Sequence, residues 1–318
     1  MITFAENKSM VLFDFYKMFP DEASCVEYLK DLRINTGMKC KKCGNGEFYW
    51  KRDRLMFECK KCKSRISIRT GTIFQDSSLP LSLWFKTIHL ISATKKTFSA
   101  LEVQRQLRYK NYETIWEMLH KLRWVMGKRD DKYKLYTYLE IDEGFFKVVD
   151  KDISKGQLDE EQKRGSGSIN HLKVLVLIES EPVEEQDEKY KHKPKRKCGH
   201  LKMIVSEDLK AETINRNIEG AVQSRINAMT DKYRGYSKLK KNLNHQEINT
   251  TGMKEVHKTF TWVRSAIGNS KKILQGFHHS IGKEYLQSYL NEFCYKFNRR
   301  YMPDLFNRLL IACITECK

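Results

Sequence analysis

"LYTYLEIDEGFFKVV" (residues 135–149) is the stretch where the hydrophobic pattern of this 318-residue chain changes from helical to extended. It is rich in β-branched and aromatic residues, and two similar stretches follow, "HLKVLVLIES" (171–180) and "HLKMIVSEDL" (200–209). This composition predicts three consecutive β-strands. The segments between them, 150–170 and 181–199, are charged and poor in apolar residues, which predicts surface loops.

The segments after these strands extend the pattern. "AETINRNIEGAV" (211–222) predicts a helix, and "SRINAMTD" (224–231) predicts a short fourth strand. Three strands, a helix and a further strand form the opening order of a ribonuclease H-like fold. We therefore predict an α/β domain of this type, built on a mixed sheet.

Two carboxylates occupy notable places in the predicted strands. Asp142 lies midway along the first strand, on the face opposite Leu139 and Ile141, and Asp231 ends the fourth. A single strand carboxylate is more often a solvent-facing residue than a metal ligand. Two convergent carboxylates, however, can hold magnesium or manganese, which activates an attacking hydroxyl and stabilises the leaving oxygen in phosphoryl transfer.

A helical region precedes the strands. A packed helix is predicted from Pro80, a second helix begins at Ser99 with Glu102 at capping-box spacing, and "YETIWEMLHKLRWVM" (112–126) carries one apolar stripe. The last two helices fit either a helix-turn-helix or an ordinary helical hairpin. A helix-turn-helix would place Asn111 and Tyr112 near bases, and Lys121 and Arg123 near phosphates.

"CKKCGNGEFYWKRDRLMFECKKC" (40–62) sets two Cys-x-x-Cys pairs fifteen residues apart. Each pair can offer two thiolates to one ion, and the segment between them can form a hairpin that brings the pairs together. The spacing predicts a zinc ribbon in which Cys40, Cys43, Cys59 and Cys62 hold a structural zinc ion. The alternatives are four free thiols or a redox pair.

Positive charge is concentrated around the cysteine pairs. Residues 39–69 contain eleven Lys and Arg against three acidic residues, in a chain whose net charge is +19. This excess favours DNA binding through phosphates, with Lys60, Lys61 and Arg65 as candidate contacts, although a charge run can also be a solvated face.

Other features of the sequence exclude some classes of protein. The N-terminus lacks the pattern of a secretory signal, and no run of eighteen apolar residues predicts a membrane span. Nine cysteines, an odd number with one tight cluster, argue against a disulfide framework.

The chain resembles the transposases of the Merlin group of DNA transposons and their bacterial insertion-sequence relatives of the ISXO type. The resemblance runs from about residue 20 to 300 and rests on these stretches: "DEASCVEYLKDLR", the ribbon, "RTGTIFQDSSLPLSLWF", "ISATKKTFSALEVQRQL", "EIDEGFF", "TDKYRGY", "WVRSAIGNSKKILQGFHH" and "YLQSYLNEFCYKFNRR". It implies a DDE-type catalytic domain that acts with magnesium on transposon ends. By position, Asp142 and Asp231 match the two aspartates of the family.

The third metal ligand is harder to assign. Relatives carry Glu, Asn or His in the segment that corresponds to "WVRSAIGNSKK", with a Lys after it. Many place the ligand seven residues before that lysine, where this chain has Arg264, and a guanidinium cannot bind a cation. Asn269, 38 residues after Asp231, has a carbonyl that can. We therefore expect Asn269 as third ligand and Lys271 near the substrate phosphate.

The expected function is that of a DNA transposase, which binds terminal inverted repeats and target DNA as a homo-oligomer. The alternative is a catalytically inactive or domesticated DNA-binding protein derived from a transposase. A cytoplasmic or nucleoid location is expected in a bacterium, and a nuclear one in a eukaryote. The expected organisation is a helical lead-in (1–37), the zinc ribbon (38–70), a helical DNA-binding segment (71–132) and the ribonuclease H-like domain (133–318).

Overall fold

The computed structural model describes residues 10–149, 170–184, 188, 195–239, 243–250, 252–253, 259–278 and 280–317. It divides into two compact units, one formed by Met1–Arg129 with Arg299–Lys318 and the other by Asp130–Asn298. The predicted loop 150–170 lies outside the described residues except at its last position. The predicted loop 181–199 is shorter than expected, because its ends at 181–182 and 196–199 belong to the flanking strands, and much of its middle lies outside the described residues. None of the helices in the described ranges is long and apolar enough to cross a membrane.

The first unit is helical apart from a small three-stranded antiparallel sheet, ordered β1-β2-β3. Its elements up to residue 131 are α1 (Leu12–Met18), α2 (Glu22–Asn35), β1 (Phe48–Lys51), β2 (Met56–Cys59), β3 (Arg65–Ser67), α3 (Leu81–Ala93), α4 (Ala100–Leu107) and α5 (Tyr112–Asp131).

The three predicted helices of this unit are confirmed as α3, α4 and α5. Pro80, with its fixed extended backbone, is the N-cap of α3, and Ser99 caps α4 by accepting the N–H of Glu102 at 3.1 Å. The stripe predicted on α5 is buried, and it comprises Ile115, Met118, Leu119, Leu122 and Met126.

The second unit contains β4 (Leu139–Lys147), β5 (His171–Pro182), β6 (Arg196–Ser206), α6 (Ala211–Ala221), β7 (Asn227–Asp231), β8 (Asn244–Ile248), α7 (Thr261–Phe277) and α8 (Leu286–Asn298). Its five strands are ordered β6-β5-β4-β7-β8. The first three are antiparallel, whereas β7 pairs parallel with both β4 and β8. This mixed sheet has the ribonuclease H-like order that the sequence predicts.

Helices cover both faces of the five-stranded sheet, because the strand residues alternate between two hydrophobic clusters. Val174, Val176 and Ile178 of β5 pack beneath α7 and α8. Leu175 and Leu177 face the other way, toward Ile214 and the rest of the α6 side. The central strand β4 is therefore covered on both faces, which buries Glu140 and half-buries Asp142 and Glu143.

The C-terminal helix α9 (Leu305–Thr315) corrects the expected domain boundary at residue 318. It groups with the first unit, not with the ribonuclease H-like unit, which ends at Asn298. The physical reason is aromatic and backbone contact: Phe306 on α9 lies 5.8 Å from Phe85 of α3, measured between ring centroids, and the Ile73 N–H donates to the Cys313 carbonyl at 2.9 Å.

Candidate functional site

The first part of the candidate site is the pairing of Asp142 with Asp231. In the parallel ladder between β4 and β7, Leu139 lies beside Ala228 and Glu140 beside Met229. Asp142 and Asp231 lie two residues beyond these pairs on the two neighbouring strands, and the charge of Asp231 acts on the pKa of Asp142, so the two carboxylates are near each other.

Burial and charge act on both carboxylates. Burial raises the pKa of Asp142, and the charge of Asp231 raises it further. The Glu143 N–H, which donates to Asp142 Oδ1 at 2.9 Å, and the Arg264 guanidinium oppose this rise. Burial likewise raises the pKa of Asp231, against the Tyr233 N–H and Arg264. A nearby cation thus favours the ionised form of both groups.

Arg264 is the cation that lies at this pair. It is in the first turn of α7, and its Nε is 3.7 Å from Asp142 Oδ2. Its side chain is 43% exposed. The guanidinium therefore lies at the mouth of the acidic pair, where it neutralises part of the negative charge without being enclosed.

Lys271 lies two helical turns after Arg264, on the same flank of α7. Burial lowers its pKa, and the charge of Asp142 acts in the opposite direction. Its Nζ is 5.5 Å from the centroid of the Phe146 ring, on the strand that carries Asp142. Lys271 is thus within electrostatic reach of Asp142.

Asn269, the expected third ligand, lies on a different flank of α7 from Arg264. Asn269 is exposed, and five residues of helix separate it from Arg264 by about 140° around the axis. Because Arg264 faces Asp142, Asn269 faces away from it. The sequence alone does not decide between the two flanks of α7. Its buried stripe shows which side of the helix faces the core, but not which flank beside that stripe meets β4.

Glu143 is a third carboxylate near the pair that sequence reasoning missed. Burial raises its pKa to about 7, and the charges of Asp142 and Asp231 add to this rise. The Tyr236 hydroxyl is close enough to oppose the shift, although the two groups do not meet hydrogen-bond geometry. Its position directly after Asp142 in "IDE" was the available signal, but strand alternation predicts the opposite face.

The donor set fits a divalent cation only in part. Asp142 and Asp231 provide the hard oxygen ligands that magnesium prefers. Within the described part of the chain, no group of three acidic, His or Cys residues at this pair has ligand atoms within 4.8 Å of one another. Arg264 stands where a third ligand is expected.

Glu140 determines where α7 lies relative to Asp142. Its fully buried carboxylate accepts the N–H groups of Trp262 and Val263, each at 2.9 Å, at the start of α7. Its other oxygen accepts the Ser180 hydroxyl at 2.6 Å and lies 3.8 Å from Arg196 Nε. A negative charge at a helix N-terminus is favourable, so β4 holds α7 by a residue two positions before Asp142.

The four predicted zinc ligands come together in the first unit. Cys40 Sγ is 3.6 Å from Cys62 Sγ, Cys43 Sγ is 3.6 Å from Cys59 Sγ, and all four sulfurs lie within 4.8 Å of one another. Thiolates bound to zinc at about 2.3 Å stand about 3.8 Å apart at tetrahedral angles. The four cysteines therefore fit a zinc ion with no open position.

Backbone N–H groups favour the thiolate at Cys59, whereas at Cys43 the effect of the Asn45 N–H is outweighed by burial and the neighbouring thiols, which raise the pKa to about 12. The Cys62 N–H is the largest influence that lowers the pKa of Cys59 to about 6, with a smaller contribution from the Asn45 side chain. The ribbon is attached to the rest of its unit by Arg33 of α2, whose guanidinium donates to the backbone carbonyls of Ser67, Ile68 and Thr70.

The predicted basic contacts of the ribbon are exposed but differ in their partners. Lys60 Nζ lies 3.3 Å from Glu47 and 5.5 Å from the exposed ring of Tyr49. Arg65 donates to Glu58 at 3.0 Å. Lys61 is exposed. The surface thus combines cations with an aromatic ring, a combination suited to nucleic acid.

The helical pair α4–α5 has a turn without glycine. Arg108 takes the left-handed conformation (φ 51°, ψ 38°) at the end of α4, and Asn111 Oδ1 accepts the Thr114 N–H at 3.3 Å. Tyr112 and Lys121 are exposed, so both remain available to a partner.

The expectation that Arg123 contacts phosphates is corrected. This residue is only 2% exposed and donates to the Phe98 carbonyl at 3.4 Å. It follows Leu122 on the buried side of α5, so its guanidinium satisfies backbone groups inside the unit.

These features define a class: a ribonuclease H-like domain with paired aspartates on its central strands, carried on a chain that also holds a four-cysteine ribbon. Residues 134–298 match the family model of the ISXO2-like transposase domain, and residues 20–65 match that of the transposase zinc-ribbon domain. The chain belongs to the ISXO2-like transposase family. The ribbon match begins two residues before α2 and includes this helix, which carries Arg33.

Two relatives illustrate the range of similarity. The "Uncharacterized protein in transposable element ISH50" of Halobacterium salinarum is 21% identical over 229 residues, which cover 70% of this chain and 71% of that protein. The solved structure "Crystal structure of a pre-cleavage Mos1 transpososome" is 10% identical with a TM-score of 0.29, over 74% of this chain and 79% of that chain.

Proposed function

We propose that this chain is a DNA transposase that binds terminal inverted repeats and uses magnesium or manganese to cleave DNA strands and join them to target DNA. The observation that carries this proposal is the pairing of Asp142 with Asp231 on neighbouring parallel strands. The alternative for such carboxylates, a solvent-facing side chain, fits Asp142 less well, because its side chain is only 19% exposed and lies 3.7 Å from Arg264 of α7.

The residues of the site have separate roles in this proposal. Asp142 and Asp231 hold the divalent ion, which supplies the charge that stabilises the attacking and leaving oxygens when bound. Lys271 meets a phosphate oxygen of the strand that lies along α7 and neutralises part of its charge. Glu140 keeps α7 against β4, so that the cationic flank of the helix faces the carboxylates.

In this proposal the first unit binds DNA, and the ribonuclease H-like unit carries the chemistry. The four cysteines hold a structural zinc ion, which presents Lys60 and Lys61 to phosphates. Tyr112 and Lys121 at α5 provide a second contact surface. Joining two transposon ends in one complex calls for at least two copies of the chain, so we expect a homo-oligomer on DNA.

Strand joining tests the proposal directly. The terminal repeats that flank the gene are supplied as pre-cleaved ends, with target plasmid and magnesium or manganese. Wild type is expected to join them, whereas Asp142→Asn and Asp231→Asn abolish joining and keep end binding, because affinity rests on the basic residues of the first unit. Glu207→Gln, at an exposed carboxylate of the same unit, is the control. Loss of end binding in the aspartate variants would contradict these roles.

A second function is favoured by one specific observation, the position of Arg264 at the carboxylate pair. A guanidinium at the place of a metal ligand fits a DNA-binding protein that has lost catalysis. In that case wild type binds the ends and joins none with either metal, whereas Arg264→Glu restores joining. Joining by wild type would exclude this second function.

A further inference from the structure

A cavity of about 230 Å³ lies in the ribonuclease H-like unit beside the flank of α7 that carries Lys271. One wall is formed by consecutive turns of α7, from which Lys271, Leu274, Gln275 and His278 face the same side. The opposite wall is the end of β4, from Phe145 to Val149, with His171 of β5 at its edge. The residues that follow α7, Ser280 and Ile281, complete the lining.

The lining has an apolar floor and a basic, polar rim. Phe146, Val148, Leu274 and Ile281 are buried, whereas Gln275 and Ser280 are exposed. Lys147, His171, Lys271 and His278 also line the cavity, and within the described part of the chain no carboxylate does. A cavity with this composition suits an anionic group attached to a flat, partly apolar one.

The size of the cavity limits what it can hold. Its volume equals that of about seven or eight water molecules at about 30 Å³ each. This is smaller than the sites that enclose a drug-sized ligand, of about 300 to 1,000 Å³. One heterocyclic base fits such a space, with its sugar and phosphate outside.

The position of the cavity connects it to the carboxylate pair. Lys271 lines the cavity and also responds to the charge of Asp142. Phe146, in the floor, is four strand residues from Asp142, a distance of about 13 Å. A stacked strand advances about 3.4 Å per nucleotide, so the cavity is about four nucleotides from the carboxylates.

We propose that this cavity binds a single nucleotide of the DNA strand near the reaction centre, with the base between α7 and the end of β4 and the phosphate at Lys271. The inference rests on the proposed function, because it assigns the cavity to the strand that the carboxylates process. Imidazole and amide groups stack on and hydrogen-bond unstacked bases, and His278 and Gln275 supply them here.

Photo-crosslinking tests the site with the full-length, zinc-loaded chain. The probe is a tetranucleotide of thymidine with 5-iodouracil at one position, and crosslinked residues are mapped by mass spectrometry. Crosslinks are expected in residues 145–149 and 271–281. Gln275→Trp fills the cavity and is expected to lower the crosslinking yield about tenfold. A tenfold loss of binding is about what the loss of one stacked base costs. Ser265→Trp, exposed on the same helix about 15 Å away along the axis, keeps the wild-type yield.

Competitors define the chemistry of the ligand. Thymidine 5′-phosphate is expected to suppress the crosslink more strongly than thymidine or inorganic phosphate, since only the nucleotide provides both base and phosphate. Gln275→Glu, a smaller change in case Gln275→Trp unfolds the unit, is expected to weaken the crosslink by repelling the phosphate. The proposal would be overturned by crosslinks that map elsewhere or that persist in both Gln275 variants. It would also be overturned if inorganic phosphate suppressed the crosslink as strongly as thymidine 5′-phosphate.

The crosslink and the strand-joining reaction fail independently. The crosslink needs only strand binding, so a chain that crosslinks through the cavity but joins no DNA keeps the cavity assignment and loses the proposed function. A chain that joins DNA while crosslinking outside the cavity keeps the function and loses the assignment.

Discussion

At the scale of single residues, Arg264 is expected to control how strongly the acidic pair would bind a cation. Its guanidinium lies 3.7 Å from Asp142 Oδ2 and favours ionised carboxylates, but it also opposes a second cation at the same place. One side chain therefore both prepares the ligands and competes with the metal. Measuring metal binding in a variant that lacks Arg264 separates these two effects.

Replacing Arg264 by glutamate is expected to tighten manganese binding. The change removes a competing positive charge and adds an oxygen ligand, and we expect affinity to rise by at least about tenfold, or about 1.4 kcal/mol. Loss of the free-manganese paramagnetic resonance signal on titration measures it. Asn269→Glu adds the same carboxylate on the other flank of α7 and should leave binding unchanged. Tighter binding in Asn269→Glu alone would show that the other flank meets the carboxylates.

Glu179 offers a test of acid sensitivity. Burial alone raises its pKa, but the His200 side chain and the N–H groups of His200 and Tyr136 outweigh burial and leave the pKa below its usual value. A carboxyl with a depressed folded pKa stabilises the protein above its unfolded pKa, and this stability is lost as pH falls through the folded pKa.

Glu179→Gln is therefore expected to be less stable than wild type at neutral pH and to lose less further stability below about pH 4.5. Urea unfolding at several pH values from neutral to acid gives the comparison. Glu207→Gln, on an exposed residue of the same unit, should retain the wild-type acid slope. Parallel pH profiles for wild type and Glu179→Gln would contradict this assignment.

The sequence predicted the residues of the site unevenly, for physical reasons. Asp142 and Asp231 follow from strand alternation and strand ends, which are local properties. The burial of Arg123 could not be predicted, because the carbonyl that it satisfies, at Phe98, lies 25 positions earlier in the chain. The role of Glu140 likewise depends on α7, more than 120 residues later in the chain.

At the scale of elements, the attachment of α7 to β4 depends on one buried carboxylate. In Glu140→Gln the amide nitrogen must face either the two N–H donors of α7 or the Arg196 guanidinium. Either orientation sets donor against donor, so we expect a loss of about 1–3 kcal/mol in the free energy of unfolding. Urea denaturation measures it, with the exposed Glu181→Gln as control. Equal stability of the two variants would show that α7 is held by its apolar face alone.

The zinc ribbon is an element whose stability comes from its metal. We expect one zinc per chain by metal analysis, and Cys40→Ser or Cys62→Ser should release it, because three thiolates hold the ion far less well than four. Cys198→Ser, in the other unit, should keep its zinc. Residues 38–70 should lose protection from proteolysis while the ribonuclease H-like unit keeps its own cooperative unfolding. Zinc retained by Cys62→Ser would exclude the four-cysteine site.

Helices and strands with a strong hydrophobic pattern were predicted well from the sequence. Elements whose position depends on residues far away in the chain were not. The three antiparallel strands and the helices α3 to α6 follow from period and composition. The strand β8, "NHQEI", is polar and largely exposed, so hydrophobic periodicity does not indicate it, and its place comes from pairing with β7. The assignment of α9 to the first unit depends on aromatic packing between residues that are far apart in the chain.

At the scale of the whole molecule, a net charge of +19 predicts strong attraction to any duplex DNA, and the ribbon region carries an excess of eight of those charges. Such binding releases counterions, so log affinity falls linearly with log salt, by about 0.9 for each phosphate contact. Lys61 is exposed, whereas Lys60 shares its charge with Glu47.

We therefore expect Lys61→Ala to reduce the slope of log affinity against log salt by about 0.9, and Lys60→Ala to reduce it by less, because Glu47 already offsets part of its charge. Preference for the terminal repeats over random duplex should persist in both variants, since phosphate contacts position a protein without reading bases. Fluorescence anisotropy across a salt series measures the slopes, and Lys210→Ala, an exposed lysine of the other unit, controls for the loss of one charge anywhere on the chain. If Lys61→Ala and Lys210→Ala have the same slope, the basic run around the ribbon is a solvated face, and the grip on DNA must come from α4 and α5.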